Sequence, residues 1–333
     1  MPDEPRISGL GAAWRLAVGT FTVLPVRPVE VDRAVAGRAM ALAPFVGLLP
    51  GLISAVVLVA AGAVSGSPLI GAVLAVAALA WLTRALHLDG LADLADGLGS
   101  GKPADGALDV MKRSDIGPFG VVTVVIALFA QVAALSRDDS VAWVALVTAV
   151  ATGRLAVTWA CREGVPAARP TGLGALVAGT VRRGVAIGAT LATAALIAAL
   201  ALVAADGPPV LRTPDLGGSE VAVDAGAALD PASYFGGLYT DYGYPDRALS
   251  PGEVYEWAAD AGVRPAGLLH RLSDDPYLIT AAGLLLAMAA GLGAAALLRR
   301  RAVRRLGGVT GDVLGALVET ATTVTLLSAV LLL

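Results

Sequence analysis

Residues 87–97 read HLDGLADLADG, and Asp89, Asp93 and Asp96 fall at i, i+4 and i+7 with only apolar residues and glycine between them. On a helix this spacing gathers the three carboxylates within roughly 60° of arc on one face. Like charges at i and i+4 destabilise a helix by about a few tenths of a kcal/mol per pair, and more in a low dielectric. The run holds no lysine or arginine to offset them. A divalent cation bound through oxygen ligands is the economical compensation, with all three aspartates as metal ligands. The competing explanation is a polar stripe facing water, which a single juxtamembrane aspartate would fit but three aligned ones fit less well. His87 precedes the first aspartate, where it suits a base or a structural hydrogen-bonder equally.

A second group follows in GSGKPADGALDVMKRSDIGPFG, residues 99–120. Gly99, Gly101 and Pro103 end the acidic helix, and 104–114 is expected to form a short helix antiparallel to it. Asp105 and Asp109 lie near the Lys112 face of that helix, and Lys112, Arg113, Ser114 and Asp115 then lead to Gly117 and Gly120, where backbone can approach a ligand closely. Carboxylates facing a Lys/Arg/Ser/Gly turn suit phosphoryl transfer. The acids hold Mg²⁺, the cations neutralise non-bridging oxygens, and little covalent chemistry is asked of the protein. Lys112 and Arg113 suit a membrane-surface anchor as well. A third group lies in RRLGGVTGDVLGALVET, residues 304–320, where Thr310 is placed to cap a helix and Asp312 sits in its first turn. Glu319, two turns deeper on the same face, is an acid inside an apolar span. The stretch RPTGLGA at 169–175 is another Arg/Gly turn suited to a phosphate, whereas His270 carries no comparable context.

These residues must be positioned by a membrane protein. The 333 residues are 56% hydrophobic and 15% charged, with a mean hydropathy of +0.75, whereas soluble domains carry about a quarter charged residues. Seven apolar blocks are long enough to span a bilayer: roughly 41–62, 67–86, 117–135, 141–161, 185–205, 277–298 and 310–333. The fold class expected is therefore all-α, a polytopic helical bundle of about seven transmembrane helices with the acidic helical hairpin on its cytoplasmic side. A shorter stretch at 10–24 contains Arg15 and reads as an interfacial or re-entrant helix. Basic residues fall in alternate connections: before the first span, at 102–113, at 162–183 and in RRRAVRR at 299–305. The positive-inside rule then puts the N-terminus in the cytoplasm and the C-terminus outside. No cleavable signal peptide is expected, since no basic region leads into an apolar one at the start. Cys161, the single cysteine, excludes an intramolecular disulfide. The segment 206–276 has twelve acidic residues against four arginines and reads as an acidic extracytoplasmic insertion. It divides a membrane domain, 1–205 with its catalytic loop 87–120, from a C-terminal transmembrane pair at 277–333. Within the insertion, SPGEVYEWAADAG at 250–262 has a helix-like start.

HLDGLADLADG, MKRSDIGPFG (111–120) and GGVTGDVLGA (307–316) together resemble the adenosylcobinamide-GDP ribazoletransferase family, also called cobalamin synthase. TFTVLP (20–25), APFVGLLPG (43–51) and ARPTGLGA (168–175) add to the likeness, in family order over about three quarters of the chain. The family's second motif often reads M-K/R-D-S-R-x-G, so Arg113 and Asp115 exchange places here while the charge inventory is kept. The 206–276 segment matches nothing in that pattern. The resemblance implies a Mg²⁺-dependent membrane transferase that joins adenosylcobinamide-GDP to α-ribazole, or to its 5′-phosphate, with release of GMP. It implies metal or diphosphate coordination by Asp89, Asp93 and Asp96, and phosphate binding by Lys112, Arg113 and Ser114. Asp115, Gly117, Gly120 and Asp312 would complete the substrate site, and His87 or one of the aspartates would act as base. The implied setting is the cell membrane of a prokaryote, in multi-pass form. The partners are the two substrates and the lipid bilayer, with no nucleic acid; a homo-oligomer is compatible with this. Two rivals are a CDP-alcohol phosphotransferase and a transporter. The first needs Ala-Arg after Asp-Gly, where this chain has Leu-Ala-Asp; the second needs acids spread through several spans near the midplane, where only Glu319 lies plainly inside one and Arg154 is a second candidate intramembrane charge.

Overall fold

The computed structural model describes residues 9–137, 141–205 and 276–333, and the described residues form helices without a β-strand. The elements are α1 (Leu10–Phe21), α2 (Arg33–Ser65), α3 (Pro68–Leu82), α4 (Leu86–Gly99), α5 (Ala104–Val110), α6 (Pro118–Leu135), α7 (Ala142–Ala160), α8 (Leu173–Val177), α9 (Arg183–Ala205), α10 (Pro276–Leu306) and α11 (Gly311–Leu332). Their starts follow ordinary capping chemistry. The side chains of Asp32, Ser67 and Thr310 accept from the backbone N–H three residues on, and Pro68 and Pro118 occupy first-turn positions that need no N–H.

Six of these helices, α2, α6, α7, α9, α10 and α11, are long and apolar enough to cross a membrane, and the bent pair of α3 and α4 adds a seventh only where the two are counted together as one crossing. The protein is a multi-pass membrane protein. α7 and α11 form the centre of the bundle: nearly all of α7 is buried, including Thr148, Thr152, Arg154 and Thr158. The surrounding helices turn large apolar side chains outward, among them Val64, Trp81, Ile126, Phe129, Leu191 and Leu297. In water such a surface would be an aggregation hazard; in a bilayer it is the solvated face. Gln131 and Thr158 inside the bundle find partners across helices. Gln131 Nε2 on α6 donates to Glu319 Oε2 at 2.9 Å and to Thr323 Oγ1 at 3.0 Å, both on α11. Thr158 Oγ1 on α7 donates to the Met40 carbonyl of α2 at 2.7 Å.

The element boundaries depart from the apolar blocks in several places. The expected span at 67–86 is a 15-residue helix, α3, followed by a sharp turn into α4 at 88°. At about 1.5 Å per residue α3 covers only about 22 Å, less than a bilayer core. α4 therefore runs across the end of the bundle and is read here as lying outside the spanning segments. The second helix of the acidic hairpin stops at Val110 instead of 114, and the basic residues after it lie in a turn. α2 and α10 run past their apolar blocks, α10 straight through RRRAVRR. α1 is the short helix expected at 10–24 and packs on α2. The insertion, with 250–262 and His270, lies outside the described residues.

Candidate active site

The site begins at the turn between α3 and α4. Arg84 and Ala85 both take left-handed backbone, with φ of 55° and 52°, which costs about 1–2 kcal/mol for each residue bearing a Cβ. Local hydrogen bonds hold them there: Ala85 N–H to the Ala80 carbonyl (2.7 Å), Leu86 N–H to Thr83 (3.1 Å), and Arg84 Nη2 to the Gly19 carbonyl of α1 (2.8 Å). The turn aims α4 across the first turns of α6 and α11. Where α4 crosses α11 the contact is between glycines. A Cβ on Gly90 would stand 2.7 Å from the Asp312 carbonyl oxygen, and one on Gly315 would stand 3.3 Å from the Cα atoms of Gly90 and His87. This close approach carries Asp312 to the acidic face of α4.

At the other end of α4, Asp96 is buried and fully engaged. Its Oδ2 accepts from Gly117 N–H at 2.6 Å and its Oδ1 from Gly120 N–H at 2.9 Å. Gly117 is the residue that precedes α6, so Asp96 supplies from 21 residues away the cap that α6 lacks locally. A Cβ at Gly117 or Gly120 would collide with the carboxylate, at 2.5 Å in each case. Glycine is required there for close packing. Asp89 and Asp93 remain open, the first exposed and the second half-buried.

Asp93 is the electrostatic focus. Burial, then the charges of Asp89, Asp312 and Asp96, push its carboxyl up to about 7 from an ordinary 3.8, with Arg169 opposing. Arg169 belongs to the 168–175 turn and donates through Nη2 to the Leu108 carbonyl of α5 at 2.6 Å. The turn is stitched to the start of α11: Ala167 and Val309 form a parallel bridge, Ala168 N–H donates to the Val309 carbonyl (3.0 Å), and Val309 N–H donates to Pro166 (2.9 Å). Arg33 fixes the far side of this turn through the carbonyls of Ala175 and Ala178. Thr310, the residue before α11, receives Val313 N–H and donates to Asp312 Oδ2 at 3.2 Å. Asp89, Asp93 and Asp312 thus converge from two helices with one arginine beside them. Oxygen donors in excess of positive charge suit a hard cation. Among the described residues no three His, Cys, Asp or Glu side chains are close enough to hold a metal alone.

The remaining sequence candidates fall in two places. Lys112, Arg113, Ser114 and Asp115 are exposed in the turn between α5 and α6, just ahead of the Gly117 that Asp96 holds. Lys112 Nζ pairs with Asp109 at 3.5 Å. His87 lies on the buried side of α4, stacked on Phe21 with ring centroids 6.1 Å apart, and its Nδ1 is 3.4 Å from Arg154 Nη2 of α7. Burial, and secondarily the Arg154 charge, hold its imidazole well below the usual pKa. It is a neutral group beneath the helix, away from the acids. Two features were less visible in the sequence. ARPTGLGA marked a phosphate-suited turn but not that Arg169 would face Asp93, and nothing in the sequence signalled the Gly90–Gly315 crossing.

The sequence model of the cobalamin-5-phosphate synthase family matches residues 13–223 and 259–330. An adenosylcobinamide-GDP ribazoletransferase of Frankia casuarinae is 39% identical over 324 residues, 94% of this chain and 92% of the relative. Enzymes of the same name from a Nocardioides species and from Corynebacterium glutamicum are 48% and 38% identical over 53% and 54% of this chain, and over 76% and 63% of their own lengths. No solved structure matches.

Proposed function

This chain belongs to the cobalamin-5-phosphate synthase family, and on that premise we propose that it is an adenosylcobinamide-GDP ribazoletransferase working at the cytoplasmic face of the cell membrane. The 3′-hydroxyl oxygen of α-ribazole, or of its 5′-phosphate, attacks the cobinamide-bearing phosphorus of adenosylcobinamide-GDP. A P–O bond forms to that oxygen, the P–O bond to the bridging oxygen of GMP breaks, and the hydroxyl proton is lost to a base. The observation that carries the reading is the convergence of Asp89 and Asp93 on α4 with Asp312 on α11 and Arg169, at the end of the bundle where the basic loops lie.

Asp89 and Asp93 would hold Mg²⁺ with Asp312 alongside; when bound, the ion neutralises diphosphate oxygens as charge moves to the leaving GMP. Arg169 supplies a fixed guanidinium for a phosphate oxygen. Lys112, Arg113 and Ser114, exposed on the neighbouring turn, suit the outer phosphate or the nucleotide. Asp96 and His87 act from behind, one tying α4 to α6 and the other seating α4 on α7. That burial favours one of the open aspartates over His87 as proton acceptor. The test is GMP release by purified protein in lipid, given adenosylcobinamide-GDP and α-ribazole with and without Mg²⁺. Release that requires both substrates and Mg²⁺ is expected. An inactive wild type, or full activity in Asp93→Asn, would refute the assignment.

A further inference from the structure

A cleft of about 570 Å³ opens between α7, α9 and α10, with α11 at its back. It is no extension of the acidic site. Gly315 faces α4, and Leu317, which lines the cleft, stands roughly 200° further round the same helix. Arg162, Arg183, Arg299 and Arg300 line its mouth, and its interior is Leu292, Gly293 and Ala296 with Trp159 as one wall. Trp159 is fixed by donating Nε1–H to Thr190 Oγ1 at 2.9 Å. A Cβ added at Gly293 would meet nothing within 4 Å, so the groove is open at that point. A second cleft of about 290 Å³ shares Arg162, Arg299 and Arg300 and adds Arg304 and Pro166. The three shared arginines therefore stand where the two clefts adjoin.

We propose that these adjoining clefts bind an anionic phospholipid of the leaflet at the basic end of the bundle, its phosphodiester on Arg162, Arg299 and Arg300 and an acyl chain in the Gly293 groove. The ligand must supply negative charge. Among the described residues none of the four mouth arginines is ion-paired with a carboxylate, so no described carboxylate offsets their mutual repulsion. Guanidinium groups match phosphate oxygens in geometry as well as charge. The ligand must also be apolar below its charge. Gly293 lies six residues before Arg299, so the groove continues about 9 Å along α10 from the arginines into the apolar span. Inorganic phosphate would satisfy the arginines and leave that groove uncovered. Trp159 beside the mouth stands where tryptophans meet lipid headgroups.

The full chain, purified in neutral detergent and stripped of lipid, is titrated with phosphatidylglycerol or phosphatidylcholine, and bound lipid is counted by native mass spectrometry. Wild type is expected to prefer phosphatidylglycerol by about tenfold. The double variant Arg299→Gln/Arg300→Gln should lose that preference. Gly293→Leu, which keeps every charge and fills the groove, should weaken retention of both lipids. Arg301→Gln removes one charge from the same helix outside the clefts and should keep the preference. Displacement of bound phosphatidylglycerol by millimolar inorganic phosphate would identify a free anion as the ligand and overturn the proposal. Equal retention of the two lipids by wild type would do the same. So would an equal loss in Arg301→Gln, which would make the effect diffuse surface charge. Each readout is binding, and is independent of whether the transferase assignment holds.

Discussion

Asp93 and Asp96 lie one helical turn apart on α4, yet their surroundings give them different work. Asp96 has both oxygens committed to the N–H groups of Gly117 and Gly120, whereas an asparagine keeps one acceptor oxygen and sets its NH2 against the second N–H. Asp96→Asn should therefore cost stability of about 1 kcal/mol while keeping most of the GMP-releasing activity. Asp93→Asn, with the electrostatic focus removed, should lose about 10²-fold or more in kcat with little change in melting temperature when Mg²⁺ is present. If the two variants fail alike, Asp96 is a metal ligand and not a cap. The pH dependence of stability separates them further. The folded pKa of Asp93 is raised to about 7 above an ordinary 3.8, so the folded state binds the extra proton. Its contribution is full below about 3.8 and is lost as pH rises through about 7. Without divalent cations, wild type should lose melting temperature over that window relative to Asp93→Asn, and Mg²⁺ added at alkaline pH should restore it. A flat difference between the two proteins would contradict this placing of Asp93. The acidic cluster is legible in three aspartates without a basic neighbour. The capping by Asp96 is not, because its partners lie 21 and 24 residues away and only the fold brings them back.

α4 reaches its place through a turn and a crossing. Apolar block length gives the order of the spans and six of the seven expected as single long helices, because the bilayer demands about 20 apolar residues of each. It misses the break inside the 67–86 block, since Thr83-Arg84-Ala85-Leu86 contains neither glycine nor proline to mark a left-handed turn. It also underestimates α2 and α10, because alanine, leucine and arginine continue a helix after the hydrophobic stretch has ended. The crossing of α4 on α11 makes a sharp prediction. Gly90→Ala puts a methyl 2.7 Å from the Asp312 carbonyl, so the helices must separate and Asp312 must leave Asp89 and Asp93. Overpacking of this kind costs about 1–3 kcal/mol, and kcat should fall further than stability does. Gly62→Ala is the control, since a Cβ there meets only the Ser67 carbonyl at 4.0 Å. Equal kinetics in the two variants, measured by GMP release beside melting temperature, would mean that the crossing does not position the site.

On the scale of the whole molecule the claim is orientation, because a nucleotide-consuming site has to face the compartment that holds nucleotides. α4, the 168–175 turn, the basic end of α10 and the start of α11 are held together at one end of the bundle by the Asp96, Arg169 and Val309 contacts. The turn between α2 and α3 lies at the other end, since α3 must run its length before reaching the turn into α4. By the positive-inside rule, the excess of lysine and arginine on the site's end predicts that this end is the cytoplasmic one. Thiol labelling reads this directly, because Cys161 is the single cysteine and is fully buried, leaving wild type unlabelled. A membrane-impermeant maleimide on intact spheroplasts should label Ser65→Cys, whose position is exposed in the α2–α3 turn, and should spare Lys102→Cys until the membrane is opened. The reverse pattern would put the acids outside, away from the compartment that holds nucleotides, and would remove the proposed reaction along with the topology. Labelling of both positions in intact cells would instead show that the bent α3–α4 pair does not carry the chain across. The site would then have to be rebuilt on six spans, with α2 and α6 entering from opposite sides.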